Sequence, residues 1–377
     1  MVSPNFFTKS LKKAGYEFVT GVPDSLLKDL CEKIENVYRK KHLIATNEGS
    51  AVALAIGHYL GKKKPAVIYL QNSGLGNTIN PITSLADPKV YGIPMLLIIG
   101  WRGETGRNKI TDEPQHKKQG LITLNQLKIL SIPYKIIDSK TKQISKIIKE
   151  LKNKSIKYQC PVAIVVRKNT FLKNKIKEKT AHRFNFKREE AIKEIIKATK
   201  NSKNIVVSTT GMASRELYEY RLKNNENIYK DFLTVGGMGH ASQIAAGIAM
   251  TIKKKIICID GDGSMLMHTG SLGINSKINN LIHIVINNSS HDSVGGQPTL
   301  GESLDLKNIS KFFGYKNTFQ IKKKKNISYI VKKCLKFKKS SMIIINCDKG
   351  HRKNLGRPEN DMKLRKMKFL NFIKKNK

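Results

Sequence analysis

Short apolar runs, each bounded by glycine, proline or charged residues, recur along this chain and set its expected architecture. Ala66–Leu70, Pro94–Gly100, Pro161–Val166, Ile205–Ser208, Ile256–Ile259, Leu281–Ile286 and Ser341–Cys347 read as buried strands. Tyr16–Thr20 and His42–Thr46 are shorter strand candidates. Helix-length segments lie among them at Phe6–Ala14, Ser25–Ile34, Glu48–Leu60, Ile136–Leu151, Arg188–Thr199 and Leu266–Ser276. Asn47 or Thr46 is placed to N-cap the helix that begins at Glu48, and Asp24 could cap the helix after it. Strands alternating with helices imply an α/β fold with parallel sheets. The segment from Lys168 to about Lys187 is charged and lacks apolar periodicity, so it reads as a linker between domains spanning 1–175 and 188–377. QNSGLGN at 71–77 reads as a loop. So does Trp101–Gly120, which is polar and carries glycine and proline; long loops in compact domains are often functional. The tail beyond Arg357 reads as a basic amphipathic surface helix.

Composition changes this picture little, but charge raises a second possibility. A chain of 377 residues, 40% apolar, can bury two cores of ordinary size. It has no 18-residue apolar run and no hydrophobic signal core near its start, which leads to the expectation of a cytoplasmic protein without membrane spans. Its five cysteines are scattered, with no CxxC pair, so neither a zinc site nor a disulfide framework is expected. The formal net charge of +42 would ordinarily suggest a nucleic-acid partner. However, 59 of the 70 basic residues are lysine, whereas arginine is the better bidentate reader of phosphates and base edges. The lysines are dispersed, which fits a solvated surface and weak, salt-sensitive adhesion to polyanions. A polyanion-binding protein with a relict cofactor fold stands as the alternative from another class.

The segment from Lys255 to Thr299 carries the clearest chemistry. A strand, the turn GDGS, a helix and a second strand ending in Asn287-Asn288 form one βαβ unit. Asp262 and Asn288 then both emerge at carboxyl ends of parallel strands, where open α/β sheets place ligands. A carboxylate, an amide oxygen and a loop carbonyl such as that of Ser290 make a hard oxygen set suited to Mg²⁺. Gly261 and Gly263 allow backbone N–H groups to approach a diphosphate closely. An ordinary strand–turn–helix with no ligand is the plain alternative.

GDGS followed by a helix, a strand and NN resembles the diphosphate–Mg²⁺ motif of the thiamine diphosphate enzymes. HDSVGGQPT at 291–299, GVPDSLLKDLC at 21–31 and QNSGLGNTINPITSLADPKVYGIPMLLIIGWRGE at 71–104 are similar, more specifically, to the phosphonopyruvate decarboxylases. The resemblance runs from Phe6 to about Pro358 and implies two parallel-sheet α/β domains without a middle one. These are a pyrimidine-binding domain (1–175) and a diphosphate-binding domain (188–377). The cofactors implied are thiamine diphosphate and Mg²⁺. Glu48 matches the glutamate that hydrogen-bonds the cofactor pyrimidine; Asp24 and His116 match positions used in proton transfer or substrate contact. Thr210, Gly211, Gly236, Met238, Asp262, Gly263, Ser264, Asn288 and Ser290 match cofactor contacts, with Asp262, Asn288 and Ser290 as the metal set. Arg102, Arg107 and Lys109 offer positive charge to an anionic substrate. The implied reaction is non-oxidative decarboxylation of 3-phosphonopyruvate to phosphonoacetaldehyde and CO₂ in phosphonate biosynthesis, catalysed by a homodimer or larger homo-oligomer. The sulfopyruvate decarboxylases share the cofactor and an anionic three-carbon substrate, and no single residue here separates the two.

Overall fold

A computed structural model describes residues 1–104, 112–174, 183–200, 204–358 and 361–375. Arg107 and Lys109 lie outside the described residues. The chain divides into two compact units, Met1–Glu178 and Lys179–Lys377. Among the described residues the first unit holds β1 (Val19–Gly21), β2 (His42–Ile44), β3 (Ala66–Gln71), β4 (Met95–Gly100), β5 (Tyr134–Ile137) and β6 (Pro161–Val166). They form one all-parallel sheet in the order β2-β1-β3-β4-β6-β5. The second unit holds β7 (Ile205–Ser208), β8 (Asp231–Leu233), β9 (Ile256–Gly261), β10 (Leu281–Asn287), β11 (Asn317–Ile321) and β12 (Ser341–Asn346). Its sheet is also parallel throughout, ordered β8-β7-β9-β10-β12-β11. Counted from its own first strand, each sheet has the same order.

The apolar runs become central strands because both of their faces are covered. In the first unit, Val67, Leu96, Ile98 and Val162 feed one core layer, and their neighbours Ile68, Leu97, Ile99 and Ala163 feed the other. Alternate residues of β9 and β10 divide in the same way in the second unit. All five cysteines are free and buried. Among the described residues no helix is long and apolar enough to cross a membrane.

Four expectations about these elements need correction. QNSGLGN is not a plain loop: a tight turn at Asn72–Gly74 leads into the helix Leu75–Pro81, anchored by buried Leu75 and Thr78. His116 is not in a loop either. It lies in the first turn of the helix Pro114–Ile129, which starts with proline, a residue suited to that position. The expected helix at Ile136–Leu151 is two elements, edge strand β5 and the helix Ile144–Lys157. Between them Asp138 Oδ1 accepts from Lys140 N–H and Thr141 Oγ1, both at 2.9 Å, an Asx turn that interrupts helical pairing. Leu266–Ser276 likewise breaks into Asp262–Met267 and Ser271–Asn275, interrupted at His268, Thr269 and Gly270. The tail forms the expected surface helix, Met362–Lys375, and it is docked: Phe369 is buried with its ring 5.6 Å from that of Phe232. Arg365, also buried, lies 5.2 and 5.6 Å from the ring centres of Tyr218 and Tyr229. At the ends of the expected linker, Leu172 N–H bonds Val2 O, and Asp348 Oδ1 accepts the N–H groups of Arg183 and Phe184.

Candidate functional site

In each sheet the chain runs outward from the first strand and then returns to the strand's other side. The order therefore reverses between β1 and β3, and between β7 and β9. Such switch points open a crevice beyond the carboxyl ends of the strands. Segments flanking the first are GVPDS and QNSG; those flanking the second are TTG and GDGS.

In the first unit, Glu48 opens the helix Glu48–Lys62, N-capped by Asn47 Oδ1, which accepts Ser50 N–H at 2.8 Å. The Glu48 side chain is buried; its Oε2 accepts Asn77 Nδ2 at 2.7 Å. A Cβ on Gly74 would lie 2.3 Å from Glu48 Oε1, so the turn after β3 leaves room for that carboxyl only because it carries glycine. Asp24 is completely buried. It does not cap the next helix, which begins at Lys28 with Leu27 as its flanking residue; Oδ2 instead accepts Leu26 N–H at 3.1 Å within the turn. Its Oδ1 has no hydrogen-bond partner. Burial pushes the Asp24 carboxyl up to about 6, against the opposing pull of the Arg102 charge.

Arg102 is committed rather than open to an incoming anion. Its Nε and Nη2 donate to Oδ2 and Oδ1 of Asp112 at 2.9 and 2.6 Å, and Nη1 donates to Ser25 Oγ at 3.0 Å. Burial works against ionisation of Asp112, but the bonds from Arg102, Glu113 N–H and Gly103 N–H hold its carboxyl well below the usual range. Asn72, fully buried, ties this corner together: Nδ2 donates to Arg102 O and Thr123 Oγ1, both at 2.9 Å, while Oδ1 accepts Arg102 N–H at 3.1 Å. Asn72 was not expected from the sequence, since its partners lie 30 and 51 residues away. His116 packs where the helix meets the turn at Gly103: a Cβ there would approach His116 O to 2.1 Å.

In the second unit, Asp262 follows β9 and is buried, and burial pushes its carboxyl up to about 6. Thr299 Oγ1 donates to its Oδ2, and a Cβ on Gly301 would lie 2.5 Å from that oxygen. Asn287, the other member of the Asn pair, is structural: Nδ2 donates to Gly301 O at 2.6 Å and Oδ1 accepts Ser289 N–H at 3.1 Å. Asn288 Oδ1 accepts Ser290 N–H at 3.2 Å, and Nδ2 donates to Asp292 Oδ2 at 2.7 Å. The Ser290 hydroxyl is buried with no hydrogen-bond partner. Asp262 through Thr299, and Asn288 through Ser290 and Asp292, thus converge on the loop 288–301.

The remaining expected residues lie in the segments that follow β7, β8 and β9. Ser264 Oγ lies 3.1 Å from Thr209 Oγ1 and accepts Gly239 N–H at 3.1 Å, joining GDGS to the loops after β7 and β8. Thr210 and Gly211 follow β7, and Gly211 takes φ +89°, which favours glycine. Gly236 and half-buried Met238 sit in the turn before the helix Ala241–Ala249. Beneath Gly263 lies the His291 ring, 2.9 Å from where a Cβ would stand; burial lowers that imidazole to about 4, so it is neutral at pH 7.

One further cluster, Cys258, Asp260 and His283, holds ligand-type atoms within 4.8 Å of one another. It is a buried hydrogen-bond network. His283 Nε2 lies 3.2 Å from Asp260 Oδ2 and Nδ1 lies 3.2 Å from Tyr315 Oη, so both ring nitrogens already have partners.

Both units match known families of domains. Residues 4–129 match the family model of the thiamine pyrophosphate enzyme N-terminal TPP binding domain, and residues 209–345 match that of the C-terminal TPP binding domain. The chain is 30% identical over 383 residues to a phosphonopyruvate decarboxylase of Streptomyces viridochromogenes, spanning 95% of this chain and 92% of the relative. It is 40% identical over 131 residues to a sulfopyruvate decarboxylase subunit beta of Methanocaldococcus jannaschii, spanning 34% of this chain and 66% of that subunit. It is also 36% identical over 159 residues to a sulfopyruvate decarboxylase subunit alpha of Methanococcus maripaludis, spanning 42% of this chain and 90% of that subunit.

Proposed function

The chain belongs to the thiamine pyrophosphate enzymes and is a decarboxylase of the phosphonopyruvate and sulfopyruvate type, and from that premise we propose that it converts 3-phosphonopyruvate to phosphonoacetaldehyde and CO₂ with Mg²⁺ bound beside its cofactor. Relatives of both kinds match nearly the whole chain, and the higher identity to the phosphonopyruvate decarboxylase, 30% against 25% for a sulfopyruvate decarboxylase of Methanosarcina acetivorans, supports the phosphonate over the sulfonate substrate. Phosphonate biosynthesis in the cytoplasm is the setting this reading gives.

The observation that carries the reading is a pair of buried carboxyls, each beside a glycine in the loops past the carboxyl ends of its unit's strands: Glu48 against Gly74, and Asp262 against Gly301. Asp262, Asn288 Oδ1 and the carbonyl of Ser290 are the oxygen donors proposed for Mg²⁺, a cation that retains water and phosphate oxygens as its other ligands. A desolvated carboxylate such as Asp262 gains from a cation that restores its ionised form. Thr210, Gly211, Gly236, Gly263 and Ser264 supply amides and hydroxyls for the diphosphate, with Met238 packed against the cofactor. When bound, thiamine diphosphate supplies the nucleophile and the electron sink that loss of CO₂ requires.

The protein's own part is binding and proton handling. Glu48, held by Asn77 Nδ2, is the residue proposed to hydrogen-bond the pyrimidine and fix its protonation. Asp24, with its carboxyl at about 6, exists in both forms near neutral pH and can give and take the proton that replaces CO₂ on the substrate carbon. His116 is the second proposed proton donor or substrate contact. The active unit is proposed to be a homodimer or larger homo-oligomer, in which Glu48 of one copy meets the diphosphate site of its partner. In support, the helix Glu48–Lys62 leaves Leu54 and Leu60 exposed, an uncovered apolar face of the kind that marks interfaces.

Side-by-side turnover of 3-phosphonopyruvate and sulfopyruvate, with the aldehyde identified, tests the substrate assignment. Faster release of phosphonoacetaldehyde is expected; equal or faster release of sulfoacetaldehyde contradicts it.

A further inference from the structure

Three hydrogen-bond donors converge on a single oxygen of Asp292, a residue outside the proposed metal set. Asn288 Nδ2 reaches Asp292 Oδ2 at 2.7 Å, Arg188 Nη1 at 2.9 Å and Gly350 N–H at 2.9 Å. Arg188 is itself pinned: Nε and Nη2 donate to Oε2 and Oε1 of Glu216 at 2.8 and 3.0 Å. All three side chains are buried, with Arg188, Asp292 and Glu216 at 9%, 7% and 1% exposure. A tethered row of charge therefore runs from Glu216 on the helix Met212–Lys223, through Arg188, to the amide of Asn288.

The two ends of that amide are not equivalent. Its oxygen accepts hydrogen bonds and can ligate a cation, whereas its NH₂ only donates. An ionised carboxylate only accepts, so Asp292 draws the NH₂ end to itself. The oxygen end is consequently the one that receives Ser290 N–H. We propose that Asp292 is a positioning residue for metal binding, holding the Asn288 amide with its oxygen, and not its NH₂, available to Mg²⁺. The inference rests on Asn288 being a ligand of that cation. Without the carboxylate only the longer bond from Ser290 N–H, at 3.2 Å, opposes a turnover of the amide, and a flipped amide offers two N–H donors to a divalent cation. Outer-shell partners of metal ligands typically change metal affinity by about 10- to 100-fold when removed.

The test uses the full-length protein, with thiamine diphosphate uptake followed by calorimetry at increasing Mg²⁺ and the Tm of the cofactor-free protein as a check on folding. Asp292→Ala is expected to raise the Mg²⁺ concentration for half-saturation by roughly tenfold. Asp292→Ser, which keeps a small polar group in place, is the second variant and should behave alike. Asp292→Asn can present an amide oxygen to the same three donors, and is expected to stay within about threefold of wild type. The cycle with Asn288→Asp separates orientation from packing. A carboxylate at 288 has no wrong end, so Asp292→Ala should cost nothing in that background. An unchanged Mg²⁺ requirement in Asp292→Ala and Asp292→Ser overturns the inference, and so does an equal loss in both backgrounds. If wild type takes up the cofactor equally in Mg²⁺ and in EDTA, the metal reading itself fails first.

Discussion

Glu48 and Asp262 both belong to the cofactor site as proposed, but they act on different ends of the cofactor, and substitution should separate them. Glu48→Gln keeps the shape and can still pair with Asn77, so diphosphate-anchored uptake should persist while decarboxylation falls by about 10²-fold or more. Asp262→Ala should instead weaken Mg²⁺-dependent uptake, as read by calorimetry. Asp24 permits a prediction about pH. Its folded-state carboxyl titrates at about 6, above the ordinary 3.8, so folding favours the protonated form. That contribution to stability is full below pH 4 and is lost as the pH rises through 6. Asp24→Asn removes the cost of a buried charge and should be more stable than wild type at pH 8 by about 2–3 kcal/mol, with the difference vanishing near pH 4. It should also lose most activity at every pH. A difference in Tm that stays constant from pH 4 to pH 8 would contradict the assignment.

At the scale of elements, close packing at strand ends explains what the sequence discloses and what it hides. Central strands such as Pro161–Val166 are legible because both faces are buried, leaving an unbroken apolar run. Edge strand β5 is not: Lys135 and Ile136 are both exposed, and the apolar spacing that results imitates a helix. The GDGS–NN spacing was readable because its parts are joined by one local crossover. The ties of Asn72 to Arg102 and Thr123, and of Arg188 to Asp292, depend on contacts 30 to 104 residues apart, which no local pattern records. Gly100, at the end of β4, illustrates the same limit. It reads as a strand terminator, yet a Cβ there would stand 2.0 Å from Asp24 Oδ2. Gly100→Ala should therefore cost about 1–3 kcal/mol in denaturant unfolding and disturb Asp24, whereas Gly57→Ala, where a Cβ meets nothing within 4 Å, should not destabilise the chain. The docked tail helix gives a further check. Arg365→Ala should lower stability by about 1–2 kcal/mol through loss of its contacts with Tyr218 and Tyr229.

Over the whole molecule, the same strand order appears twice without an evident repeat in the sequence, because the two halves share which strands are buried rather than which residues fill them. Each sheet presents its polar residues at its own switch point, the pyrimidine side in one unit and the diphosphate side in the other, as proposed. The net charge of +42 is a separate property of the surface. Binding of a DNA oligonucleotide should be independent of its sequence and fall by about 10³-fold or more between 50 and 200 mM salt. Tight, sequence-selective binding at physiological salt would favour the polyanion-binding alternative. The most direct test is calorimetric titration of the dialysed full-length protein with thiamine diphosphate, with Mg²⁺ and with EDTA. Saturable uptake of one cofactor per chain, dependent on Mg²⁺, is the expected result; no uptake under either condition would contradict the account.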